Sequence, residues 1–175
     1  MHILYFVATK KTEREEEDDG RIEEIQRNVF RVLEENNFVG ESGFYSNCKA
    51  DWFVIGGRWS GYLQGIKIDE WEEMSKHMED REELQELWER LGGSGKAPHL
   101  RSTYLSLGHE DDTMPLDNEL LKALKKQKDF LKNTEIAIIG MGNYIVDEMN
   151  MGEFLNKDEK NLIDNYWITV IDYHT

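Results

Sequence analysis

Two apolar segments near opposite ends of the chain constrain the fold more than any other feature. They are Ile3-Leu4-Tyr5-Phe6-Val7-Ala8 and Trp167-Ile168-Thr169-Val170-Ile171-Asp172-Tyr173. A half-exposed strand alternates apolar and polar residues, so runs rich in aromatic and β-branched residues predict strands covered on both faces. Two such strands are expected to be neighbours at the centre of one sheet. That arrangement predicts a single domain over residues 1–175, long enough to bury roughly two-thirds of its unfolded-chain surface.

Helical spacing fills much of the interval. Ile22, Ile25, Val29, Val32 and Leu33 mark a first amphipathic helix, and Trp71, Met74, Met78, Leu84, Leu87, Trp88 and Leu91 a longer stripe ended by Gly92-Gly93. The stripe reads as core rather than as an oligomer interface. Leu120, Leu121, Leu124 and Leu131 mark a third helix, opened by Pro115 and Asp117 with Lys122, Lys125, Lys126 and Lys128 outward. A short fourth helix is expected around Asp158 to Asn165. Further strands are expected at Trp52 to Ile55, Tyr62 to Ile68, Arg101 to Leu107, Glu135 to Ile139 and Tyr144 to Val146. The order predicts an α+β, or mixed α/β, domain: a central mixed sheet flanked by about four helices. Segments 13–20, 92–98 and 109–115 are expected to be exposed and mobile, from like-charge runs and glycine-rich composition.

Charge narrows the function classes. Thirty-six Asp and Glu against 21 Lys and Arg give a formal net charge of −15, which argues against direct binding to nucleic-acid backbones or anionic membranes. Five Trp, seven Tyr and seven Phe argue against a disordered acidic chain. The single cysteine, Cys48, excludes an internal disulfide framework and fits a reducing compartment. The first residues lack a basic leader, and no apolar run reaches the roughly 20 residues that span a bilayer. A cytoplasmic location is the expectation.

The least ordinary stretch is Asp51-Trp52-Phe53-Val54-Ile55-Gly56-Gly57-Arg58-Trp59-Ser60-Gly61-Tyr62-Leu63. Paired glycines permit positive φ and close approach to the backbone. Successive N–H groups in such a turn form an anion-binding concavity. Arg58 adds a planar cationic fork suited to phosphate or carboxylate. Trp52 and Trp59 offer stacking surfaces, and Ser60 a polar contact. Two readings use this turn chemistry equally: a β-hairpin with inward tryptophans, or a ligand-contacting loop. A plain turn needs neither the arginine nor two large aromatics, which favours the loop. The segment Asp51-Trp52-Phe53-x-Ile55-Gly56-Gly57-Arg58-Trp59-Ser60-Gly61, with Asp172-Tyr173-His174, resembles stretches of bacterial and phage proteins of no assigned activity. The resemblance implies no function.

Other motifs fail. Gly92-Gly93-Ser94-Gly95-Lys96-Ala97 lacks the leading glycine and the Ser or Thr of a phosphate loop. Gly140-Met141-Gly142 has Ile145 where a dinucleotide fingerprint needs a third glycine. Ser60 is not in a nucleophile elbow, being flanked two residues away by Arg58 and Tyr62. The histidines show no zinc spacing, and no motif calls for a cofactor. Glu110, Asp111 and Asp112 are candidate carboxylate ligands for a hard cation, although an acidic surface loop explains them as well. Asp172 and His174 share one face by strand alternation and, with His2 brought near by antiparallel end strands, form a secondary acid–base candidate.

The expected function is binding of a small phosphorylated or nucleotide-like ligand through Trp52, Gly56, Gly57, Arg58, Trp59 and Ser60, with sequestration or hydrolysis as the outcome. The alternative is an acidic interaction protein of the nucleic-acid-mimic type, such as a phage anti-defence inhibitor, that binds a basic protein partner. Its carboxylates would come from Glu70, Glu72, Glu73, Glu79, Asp80, Glu82, Glu83, Glu86 and Glu89 and from the Glu13 to Asp19 run.

Overall fold

The computed structural model describes residues 1–12, 20–38, 48–64, 80–92 and 112–175. Six strands form one mixed sheet among them: β1 (His2–Lys10), β2 (Trp52–Ile55), β3 (Thr113–Pro115), β4 (Glu135–Ile139), β5 (Ile145–Asn150) and β6 (Tyr166–His174). The order is β2-β6-β1-β4-β5, with β3 also paired to β6. The two end strands are central antiparallel neighbours over their whole length, from His2↔His174 to Lys10↔Tyr166. The β1–β4 pair is parallel. Residues 4–9 of β1 and 168–173 of β6 are buried, as their unbroken apolar runs require.

The α+β class is thus as the sequence predicts, and two cores explain it. Helix α1 (Gly20–Glu35) buries Ile25, Val29, Val32 and Leu33 against the face presenting Tyr5, Val7, Ile171 and Tyr173. On the opposite face lie α3 (Asn118–Lys126), α4 (Lys128–Leu131), α5 (Met151–Leu155) and α6 (Glu159–Asn165), packed around Leu4, Phe6, Ala8, Ile168 and Val170. Side-chain caps start three of these helices: for α3 Asp117 accepts from the Leu120 N–H, for α5 Asn150 from Glu153 and for α6 Asp158 from Asn161.

Several expectations change. Helix α2 covers only Arg81–Arg90, because Asp80 is extended and caps it by accepting from the Glu82 and Glu83 N–H groups. One continuous helix therefore does not run through position 80; residues 65–79 lie outside the described ones. Residues 13–19 and 93–111 also lie outside, so the expected strand at 101–107 and most of the exposed segments carry no structural statement. The 109–115 loop is corrected at its C-terminal half, where Thr113–Pro115 pairs with Thr169–Trp167. That pairing is explained by the edge of β6: β2 covers Ile171 to His174, the Gly56 N–H bonds to the Val170 carbonyl, and β3 completes the row. The buried Thr113 hydroxyl reaches the Thr169 hydroxyl at 2.9 Å and accepts from Gln26 of α1. Tyr62–Gln64 is a 3-10 turn where a returning strand is expected. Among the described residues, no helix is long and apolar enough to cross a membrane.

Phe6 is fully buried in the central strand, with its ring edge-on to Tyr62 at 5.9 Å. Truncation by Phe6→Ala is expected to cost about 3–5 kcal/mol. A urea unfolding curve checks this through its midpoint.

Candidate functional site

Strand register builds the site. Trp52 pairs with His174, and His174 with His2, so the three rings stand in one row across β2, β6 and β1. The Trp52 and His174 rings are stacked at 5.5 Å with an interplanar angle of 3°, and His2 meets both edge-on at 5.2 Å. One step inward, on the same face, Asp172 points its carboxylate diagonally at His2, with His2 Nδ1 3.0 Å from Oδ1 and 3.2 Å from Oδ2. The hydrogen-bonded Asp–His contact at this end of the sheet is therefore His2–Asp172 rather than the expected Asp172–His174. His174 is engaged elsewhere, by the Met1 amino group at Nε2 (3.0 Å) and by Asp51 at Nδ1 (3.6 Å).

The Gly-Gly-Arg-Trp-Ser-Gly loop folds over this pair and forms no hairpin. After β2 the chain enters a 3-10 turn at Gly57–Trp59. Two buried carboxylates hold that loop. Asp172, 1 % exposed, accepts the Arg58 N–H at 2.9 Å. Asp112, also 1 % exposed, accepts the Ser60 hydroxyl at 2.8 and 2.9 Å and the Gly61 N–H at 3.1 Å. The paired glycines follow from these contacts. A Cβ on Gly56 would lie 2.1 Å from Asp112 Oδ2, and one on Gly57 would lie 2.6 Å from Asp172 Cβ and Oδ2. Both glycines also have positive φ, 74° and 56°. The close approach that the sequence leads one to expect here is made by the chain's own carboxylates, and two of the loop's N–H groups are occupied by them.

This arrangement sorts the expected site residues. Ser60 is buried on Asp112. Trp59 is half-buried against the core, edge-on to Tyr62. Arg58 points outward and is exposed, and Trp52 is half-buried. His2 and Trp59 line a cleft of about 390 Å³ whose far side is formed by Phe130, Asn133, Thr134 and Glu135. The Trp59 Nε1 atom is buried and has no hydrogen-bond partner among the described residues. Asp112 is no surface metal ligand but a buried structural carboxylate. Glu110 and Asp111 lie outside the described residues. Among the described residues, no group of three or more His, Cys, Asp or Glu is placed to hold a metal ion.

Burial pushes the Asp172 carboxyl above the usual carboxylate range, against the opposing effects of the Arg58 N–H, the His2 ring and the Arg58 charge. In the neutral imidazole the contact to Asp172 assigns the proton to Nδ1 and leaves Nε2 as the basic nitrogen. An Asp–His pair so arranged can orient a ring for proton transfer, and the exposed Arg58 can bind an anion beside it. Two signals in the sequence pointed to this site: the glycine-rich loop and the end-strand pairing. The structural role of Asp112 was missed, since nothing local marks it apart from Glu110 and Asp111. No known protein family, curated protein or solved structure matches the chain.

Two outcomes test this geometry. Gly57→Ala is expected to destabilise by about 1–3 kcal/mol from backbone strain alone, with the clash at Asp172 added. Gly92→Ala, also at positive φ but with nothing within 4 Å of its Cβ among the described residues, carries the strain only. Denaturant midpoints of the two variants should differ accordingly. For Asp172 the folded pKa is raised, so its stabilising contribution is complete below the ordinary carboxylate pKa and is lost as pH rises through the raised value. Relative to Asp172→Asn, wild-type stability should fall as pH climbs above about 4, read from paired urea curves.

Proposed function

We propose that the protein binds a small phosphorylated or nucleotide-like ligand at the N-terminal end of β1. Arg58 is the anion contact, Trp52 and His174 supply an aromatic surface, and the cleft shared by His2 and Trp59 takes the rest of the molecule. The observation that carries this reading is an exposed guanidinium on a loop whose backbone is fixed from beneath by two buried carboxylates. Such a loop is preorganised, so little conformational entropy is lost when the ligand arrives. The buried, unpartnered Trp59 N–H adds a donor suited to a ligand oxygen.

Sequestration is the core of the proposal, and hydrolysis is the chemistry that the His2–Asp172 pair adds to it. Ser60 is committed to Asp112, so a serine nucleophile is not part of this reading. His2 would instead take a proton from water through Nε2, with Asp172 holding the ring. The acidic-partner alternative retains one observation, the exposed carboxylates Glu82, Glu83, Glu86 and Glu89 on the single short helix α2. It ranks second because acidic solvated faces serve solubility equally well.

Calorimetric titration with nucleoside monophosphates and cyclic nucleotides tests the first reading. Binding is expected in wild type and should weaken about tenfold or more in Arg58→Ala, the loss of one charge-assisted contact. His2→Ala should leave the anion bound and abolish any product seen by chromatography. Absence of binding heat in wild type would overturn the proposal.

A further inference from the structure

At the opposite end of the sheet, the carboxyl ends of the parallel strands β1 and β4 open on a second cleft, of about 420 Å³. Among the described residues, its charged lining is Lys10 at the end of β1, Arg21, Arg27 and Arg31 from α1, and the carboxylate of Glu24. Gly140 and Asn143, from the turn between β4 and β5, close it, and Asn28 Nδ2 donates across to Asn143 Oδ1 at 3.2 Å. In a chain of net charge −15, four cations gathered around one cleft form a local exception. Crevices at the carboxyl ends of parallel strands are where open α/β sheets place their ligands. The volume suits a small molecule and excludes a macromolecule.

We infer that this cleft is a binding site for a small multiply charged anion of the phosphate class, separate from the Arg58 site. Two observations support it beyond the charge. Thr9 is 8 % exposed and lines the cleft, and its buried hydroxyl has no hydrogen-bond partner among the described residues. A bound phosphate oxygen would satisfy that hydroxyl. Arg21 is paired with Glu24 at 3.1 Å and donates to the Thr12 hydroxyl, whereas Arg27 and Arg31 are held by surface pairs along the helix, with Glu23 at 2.5 Å and Glu35 at 3.0 Å. Exposed pairs of this kind contribute little, so both guanidinium groups can turn to a stronger partner. The acidic surroundings repel extended polyanions and leave a compact anion as the fitting guest.

Inorganic pyrophosphate is the probe, titrated calorimetrically into the full chain carrying Arg58→Ala, which lacks the anion contact of the other proposed site. Binding is expected to survive there and to weaken as salt is raised. Adding Arg27→Ala and Arg31→Ala should weaken it by up to about a hundredfold, since each charge-assisted contact is worth roughly tenfold. Should the multiple variant not fold, Thr9→Val with Lys10→Ala serves instead, the valine keeping the shape of the threonine. No heat in the Arg58→Ala chain, or an affinity unchanged when the α1 arginines or the Thr9–Lys10 pair are removed, would overturn the inference. Failure of nucleotide binding at Arg58 alone would leave it standing.

Discussion

The Asp172 carboxylate determines what the end of the sheet can be. A buried carboxylate is costly unless donors surround it, and Asp172 sits on the central strand where water does not reach. Its donors come from two directions: the His2 ring from the neighbouring strand and the Arg58 N–H from the loop above. The loop must descend close enough for its backbone to bond there, and that proximity leaves no room for a Cβ at Gly57. Asp112 repeats the pattern one turn further on with Gly56, Ser60 and Gly61. Two buried carboxyl groups thereby fix a loop whose composition would otherwise leave it loose, and Arg58 is left exposed on it.

Much of this was legible in the sequence, and for a physical reason. Strands buried on both faces are written as continuous apolar runs, so β1 and β6 and their central pairing could be read directly. The register then carried His2 toward His174 and Asp172. The glycine pair announced a close approach, because only a missing side chain permits one. What the sequence did not disclose was the identity of the approaching group. Asp112 lies beside Glu110 and Asp111, and local sequence cannot tell a buried acid from a solvated one. Strand β3 was hidden likewise: three residues including a proline show no periodicity, and their pairing depends on a gap left in the β6 edge by β2. The helical stripe before Asp80 failed to predict a break because apolar spacing continues across a residue that acts as a cap.

The two proposed sites divide the sheet along the length of β1. At one end Arg58 stands on the loop over the His2–Asp172 pair; at the other, Lys10, Arg21, Arg27 and Arg31 line a cleft with the buried Thr9 hydroxyl. Both are proposed in a strongly acidic chain, where local geometry sets the field that a small anion meets. The average charge governs only what large polyanions experience.

The central pairing also has a kinetic meaning. His2 and Asp172 are 170 positions apart, so the hydrogen bonds at the middle of the sheet close a loop that contains nearly every other element. Such contacts carry the largest closure entropy and form late, which marks this as a slow-folding topology. During synthesis β1 and its parallel partner β4 emerge before β6, and until β6 arrives the β1 edge that it will cover stays open to wrong partners. The strand that anchors the finished fold is therefore the segment most exposed to aggregation while the fold is being made.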